Sequence, residues 1–461
     1  MSTGARHDGR PSASPRGGSG RISSLTRQAV AVLPEGTIPV SVGLIITGAT
    51  AYAYLILTAR VLGPAKYAPL SVLWAMVFLV GPGVFLPLQQ EVGRLFAQRR
   101  VEGVGAGPVA RRAAIIGGAL LAFLLTVTAV AAVPLGRALF DSQYLLVAGF
   151  ACALVGYLLL SLTWGVLAGS GRFTPYAVAL SADGILRIAV CVVLAIVGVQ
   201  TAGPYGLVMG ITPAIAALIA MRGNTDLLQP GPPAPWGDLS SALGWLLVGS
   251  LGAQALANAS IVAVELLANK SQRAEAGNFL AGVVIARFPL FLFGAVQAAL
   301  LPRLARLSSE GQYRQFRSGM TRLLSLVAAI AVVSTVAAFL VGPWALQLLF
   351  GTKFILSRAD LTMLAAGSGS YMVALAIVQA LIALGHHARS AIGWIVGLAV
   401  FVVVTAMGTT LLARIELGFV SGAIAALVVA GILLLVSMPS SDQEFDPKLM
   451  MLPTAELGIE P

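Results

Sequence analysis

Few residues of this chain could act chemically, and most of those stand in apolar surroundings. Arg287 sits near the middle of the apolar run 276–301. An arginine at the centre of a bilayer costs about 2.5–3.5 kcal/mol on insertion scales, so it needs a partner or a hydrated cavity: it either meets cargo or bonds backbone carbonyls freed by a helix kink. Pro289, two residues on, removes a helix hydrogen bond and frees a carbonyl. Gly81-Pro82-Gly83 and Pro87 interrupt the run 69–92 at the matching place. Broken helices at corresponding points of two halves are the best sequence-level pointer to a mid-membrane binding site. Gln254 and Asn258, four residues apart in the run 240–265, form a polar stripe that either lines a path or joins helices. Tyr52 and Tyr54 lie too deep in the run 38–58 for an interfacial belt; they either face a cavity or pack among helices, and Tyr52 is placed on the substrate path. Arg187 has Asp183 four residues before it on the same helix face, a spacing that lets the pair neutralise itself. The pair reads first as a device holding helices in register, with a place on the path as its second reading. Glu265, at the end of its run, is expected to be hydrated.

These groups recognise charge and polarity; they do not form a catalytic set. The chain holds no GxxxxGK[ST] phosphate loop, no HExxH and no Cys/His ligand spacing, so neither an enzyme nor a metal or other cofactor is expected. Residues 105–110 have Rossmann-like glycine spacing, but no strand precedes them. Cys152 and Cys191 lie inside apolar runs as small hydrophobes.

The elements that must position these residues follow from composition. Of 461 residues, 58% are hydrophobic and only 10% charged, and the mean hydropathy is +0.90. A soluble domain carries about 25% charged residues. The expected fold class is therefore all-α, a polytopic membrane protein. Twelve apolar runs are long enough to cross a hydrocarbon core about 30 Å thick. They lie near 38–58, 69–92, 112–133, 144–167, 175–199, 204–221, 240–265, 276–301, 322–348, 360–384, 390–412 and 417–438. Residues 1–37 read as a disordered basic tail and 439–461 as a short acidic one. Between them stand a first lobe over 38–222, a Pro-rich linker over 223–239 and a second lobe over 240–438.

The net charge of +11 is concentrated in short loops between spans, where it serves topology; nucleic acid is not an expected partner, and membrane lipid is. Loops on the side of the termini carry more than twice the cations of the opposite loops. The positive-inside rule then places both termini in the cytoplasm of a cytoplasmic-membrane protein. The cationic stretch 303–322 is expected to lie on the anionic leaflet. Weak matches between halves, such as Leu139-Phe140 with Leu349-Phe350 and Gly171-Arg172 with Gly385-His386, point to two six-span repeats in the same orientation.

Several segments resemble a known family. Ala59-Arg60-Val61-Leu62-Gly63-Pro64-Ala65-Lys66-Tyr67 is similar to the approach to the second span in the multidrug/oligosaccharidyl-lipid/polysaccharide exporter superfamily. Gly277-Asn278-Phe279 with Ala286-Arg287-Phe288-Pro289 and Leu301-Pro302-Arg303 resembles its eighth-span pattern. Leu348-Leu349-Phe350-Gly351-Thr352-Lys353-Phe354 and Ala383-Leu384-Gly385-His386 resemble the flanks of its tenth span. The polysaccharide-transporter branch, the O-antigen and teichoic-acid-type flippases, is the best match. Ala68 and His386 depart from the pattern at positions where the family carries glycine and a basic residue. The resemblance implies two six-helix lobes around a cavity lined by spans 1, 2, 7 and 8, working by alternating access. It implies a polyprenyl-diphosphate-linked oligosaccharide as cargo, and functional coupling to glycosyltransferases and a polymerase. Arg287 would then meet the diphosphate. The alternative is a cation-coupled multidrug exporter of the same superfamily, which wants an unpaired carboxylate at the midplane. A polymerase or ligase is disfavoured because no long outer loop is present.

Overall fold

The computed structural model describes residues 36–233, 241–290, 293, 306–307 and 310–438. Twelve α-helices account for nearly all of them, and no strand occurs among the described residues. They are α1 (Thr37–Glu102), α2 (Gly107–Val130), α3 (Ala132–Leu139), α4 (Tyr144–Gly169), α5 (Phe173–Ile196) and α6 (Ala202–Met221), followed by α7 (Ser241–Leu267), α8 (Arg273–Ala286), α9 (Tyr313–Phe350), α10 (Arg358–Ala383), α11 (His387–Met407) and α12 (Leu411–Ser437). Ten helices are long and apolar enough to cross a membrane. One of them, α1, has 66 residues and covers the first two expected spans. The eighth begins as α8 and continues into residues that are not described.

The first correction concerns the gap between the runs 38–58 and 69–92, at Leu62-Gly63-Pro64. No loop forms there; the two spans meet end to end at a single non-helical residue, Gly63, with φ 71° and ψ 168°. That backbone region is essentially open only to glycine. Pro64, preset for the first turn of a helix, starts the second arm at once. A second correction concerns Pro82 and Pro87. They leave the second arm helical, because a proline costs one bond without stopping the helix when neighbouring helices support it. Nor does the cationic stretch 303–322 lie apart on a leaflet throughout: from Tyr313 it is the first part of α9, with Phe316 and Met320 buried and Arg314 and Arg317 exposed. Residues 303–305 and 308–309 lie outside the described residues, as do both tails but for residues 36–37. The Pro-rich linker is strapped down over its first half. Arg99 donates to Pro232 O at 2.8 Å and to Gly105 O at 2.9 Å, and Gly107 N donates to Gln229 O at 2.8 Å.

Glycine pairs bring the helices close. At Gly397 of α11 a Cβ would stand 2.7 Å from Gly422 O of α12, and the reverse distance is also 2.7 Å. Without a hydrophobic drive between helices in lipid, such backbone approach is a main source of packing energy. The lipid-facing surface is apolar, with Phe123, Val332, Val402 and Leu435 all more than half exposed.

The core shows how the halves meet. One cluster of buried side chains runs through the first lobe and continues across into the second around the Gly63 hinge, taking in Val264, Phe279, Leu346, Phe350 and Ile415. Towards the termini the second lobe has a separate core, built from Leu256, Phe316, Met372, Trp394 and Leu434. The lobes are joined at the hinge face and have separate cores at the opposite one.

Candidate functional site

Three cross-lobe contacts close the hinge face. Arg60 of α1 donates through Nε to Leu349 O at 2.6 Å and through Nη2 to Leu348 O, capping the end of α9. Gly277 of α8 lies so close to Pro64 that a Cβ would sit 2.1 Å from its carbonyl oxygen. Arg273, opening α8, pairs with Asp141 in the turn between α3 and α4. Asp141 and Ser142 both have left-handed backbones, φ 50° and 61°, which is uncommon for residues with a Cβ. Glu265, expected to be hydrated, is instead buried at 8% exposure, because α8 and the α3–α4 turn cover the end of α7.

Midway through the membrane the eighth span breaks where the sequence indicated. α8 ends at Ala286, Arg287 is a single turn residue, and helix resumes at Phe288. Pro289 has no N–H to return to Ile285. Arg287 N still reaches Val283 O at 3.1 Å, and Leu290 N bonds Arg287 O at 3.0 Å in a tighter turn. The guanidinium crosses to α7, where Nη1 donates to Asn258 Oδ1 at 3.2 Å and Nη2 donates to Ala257 O. Asn258, 2% exposed, is fixed in turn by donating to Gln254 O at 2.9 Å. No ion pair joins Arg287 to a carboxylate among the described residues. Its hydrogen bonds go to a backbone carbonyl and an amide.

Beside this break lies a cleft of about 330 Å³ between the first arm of α1 and helices α8, α9 and α10. Tyr52, Ile56, Phe288, Pro289, Ala338 and Leu361 contribute to a wall that is almost wholly apolar. Tyr52 donates to Val284 O at 3.2 Å and stands edge-on to Phe288, ring centroids 5.7 Å apart. Pro82 meets the second lobe too: its carbonyl accepts from Ser250 of α7 at 3.3 Å, one turn before Gln254. Tyr52, Pro82, Gln254, Asn258, Arg287 and Pro289 thus gather along the seam between lobes.

Asp183 and Arg187 do not join them. They form an ion pair inside the first lobe, where Thr212 of α6 donates to the second carboxylate oxygen at 2.8 Å. The guanidinium carbon lies 5.9 Å from the Tyr54 ring centroid and 5.6 Å from that of Trp74. Tyr54 is fully buried, donating to Tyr205 O at 3.3 Å, so of the two tyrosines only Tyr52 faces the cleft. Trp74 and Thr212 escaped the sequence reading, since no charge or spacing marks them, and Arg60 entered it only within a family motif. Each matters only through a neighbour distant in the chain.

No protein-family model matches the chain. It is 25% identical over 362 residues to the uncharacterised protein Rv3630 of Mycobacterium tuberculosis, covering 76% of this chain and 80% of that one. A second uncharacterised protein of that species, Rv1510, is 25% identical over 356 residues. Among solved structures, the chain is similar to a multidrug resistance MATE family transporter of the MOP superfamily in its inward-facing conformation. The TM-score is 0.66 at 15% identity, covering 88% of this chain and all of that one. The outward-facing conformation gives 0.64 over 87% and 94%. A variant of the Vibrio cholerae MATE transporter VcmN gives 0.63 over 91% and 98%. The fold is that of a MATE transporter. The two-lobed MATE architecture agrees with the superfamily resemblance read from the sequence, while the comparisons say nothing that favours the polysaccharide branch.

Proposed function

We propose that this protein is a membrane exporter working by alternating access, and that its cargo is an apolar or amphipathic small molecule. The apolar cleft beside the broken eighth span carries this reading. It lies on the seam between lobes, and its volume falls at the lower end of the range for drug-sized ligands, about 300–1,000 Å³. The MATE fold and the parting of the two cores on one face support it. With the positive-inside assignment, the termini and the separate cores face the cytoplasm and the Gly63 hinge faces outward. Asp183, the carboxylate a cationic cargo would seek at this depth, is engaged by Arg187 and Thr212, which favours neutral or anionic cargo. Dye efflux from cells expressing the chain tests this. Ala338→Phe, which fills the cleft, is expected to abolish efflux at unchanged membrane levels; undiminished efflux would overturn the reading.

One observation keeps a second reading: Arg287 stands between Ala286 and Phe288, both of which line the cleft. A lipid-linked oligosaccharide could lay its tail in the cleft and its diphosphate near that guanidinium. Moving about two negative charges outward across an inside-negative membrane gains roughly 4–5 kcal/mol per 100 mV. Under this reading Arg287→Ala stops export of surface polysaccharide, and the chain works beside glycosyltransferases and a polymerase. Normal export by that variant would remove it.

A further inference from the structure

A second cavity, of about 660 Å³, opens at the hinge itself, between the first arm of α1 and the end of α9. Gly63 leaves room for it, since a Cβ there would meet nothing within 4 Å. Its wall includes Arg60 and Lys353, the amide of Gln347, the hydroxyl-bearing Thr352 and the ring of Trp344, which is 65% exposed. Among the described residues no carboxylate contributes to it. The segments joining spans on this face are poor in cations, and the two that meet here, 59–68 and 349–359, hold half of those the face has. Two cations, an amide, a hydroxyl and an aromatic ring with no opposing acid suit an oxygen-rich anion at the membrane–water boundary. Trp344 is at home at that boundary, where its ring is half wet.

We propose that the hinge cavity binds a phosphate-bearing group, and that this group loosens the hold of Arg60 on α9. Lys353 is free to reach into the opening from its exposed turn. Arg60 holds carbonyls of the other lobe through Nε and Nη2 and meets the same opening. A phosphate draws a guanidinium more strongly than two neutral carbonyls do, because bonds between ionised partners are about twice as strong. Each step of Arg60 towards the phosphate weakens a contact that holds the hinge face shut. The same chemistry could come from the headgroup of an anionic lipid or from a phosphate compound in solution.

The experiment uses the full chain in nanodiscs of phosphatidylcholine mixed with phosphatidylglycerol, with native mass spectrometry counting the lipids retained. Preferential retention of phosphatidylglycerol is expected, weakened about tenfold by Arg60→Gln or Lys353→Gln and kept by Lys353→Arg. Lys353 lies outside any helix, so its variants remain informative should Arg60→Gln fail to fold. Spin labels at Ala65 and Ile355, in a background with Cys152 and Cys191 replaced by alanine, are expected to move apart when the anion is present. Inorganic pyrophosphate forms the second arm. If it displaces the lipid and separates the labels, a soluble phosphate compound suffices; if only the lipid acts, the site reads a headgroup. Equal retention of both lipids with no response to pyrophosphate overturns the site, as does wild-type binding by both glutamine variants; labels that stay put on binding overturn the release of Arg60. Lipid retention and cargo efflux are separate readouts, so either result stands without the other.

Discussion

The two lobes each hold an arginine at mid-membrane, Arg187 buried and Arg287 half-buried, and they accommodate it differently. Arg187 has a carboxylate one turn away on its own helix, a threonine fixing that carboxylate, and two aromatic rings against its face. Its charge is cancelled within one lobe, away from the seam. Arg287 has no carboxylate partner among the described residues; it stands at a helix break on the seam and bonds a carbonyl and an amide of α7. An ion pair has little net charge left for a ligand, whereas a cation held by dipoles keeps its full charge. Arg187 thus lies within the first lobe and Arg287 on the seam, where the proposed cargo path runs.

The strongest way to break this contrast is Asp183→Ala. Stranding a buried guanidinium costs about 3–5 kcal/mol, so the detergent-solubilised variant should melt far below wild type or fail to accumulate. Replacing both partners together, Asp183→Leu with Arg187→Met, should recover most of that loss, since a buried pair is often no better than packed apolar groups. A double variant as unstable as the single one would show that the pair does more than cancel itself. Thr212→Val removes one charge-assisted hydrogen bond and should lower stability by about 1.5–3 kcal/mol in the same melting assay. Arg287→Ala sharpens the other side. Ala257 O keeps its helix and Asn258 its bond to Gln254 O, so the stability change should stay below about 1.5 kcal/mol. Export of whichever cargo is carried should nevertheless fall at least about tenfold, the worth of roughly 1.4 kcal/mol. A large melting shift with normal export would reverse the roles of the two arginines.

Much of this was legible beforehand for identifiable reasons. The spans follow from apolar runs whose length is set by the membrane, and the break at Arg287 from the missing N–H of Pro289. The pairing of Asp183 with Arg187 follows from helical spacing. The close approach of α11 and α12 is foreshadowed by Gly393/Gly397 and Gly418/Gly422. The errors have a physical cause as well. Pro82 looked equivalent to Pro289, yet its helix runs on, packed against α7, which contributes the Ser250 hydroxyl. Leu62-Gly63-Pro64 looked like a loop because a glycine before a proline usually is one. Here a single left-handed residue joins two helices directly. Glu265 looked exposed because nothing in its own helix announces that α8 and a distant turn cover it.

By itself the sequence determined that the chain must live in lipid and cross it many times as helices. Those outcomes depend on solvent transfer and on backbone chemistry within a few residues. Only the tertiary structure decided which charge is cancelled, which tyrosine faces the cleft, and that Arg60 ties the lobes together at the hinge. Those depend on partners distant in the chain, whose meeting depends on how helices pack.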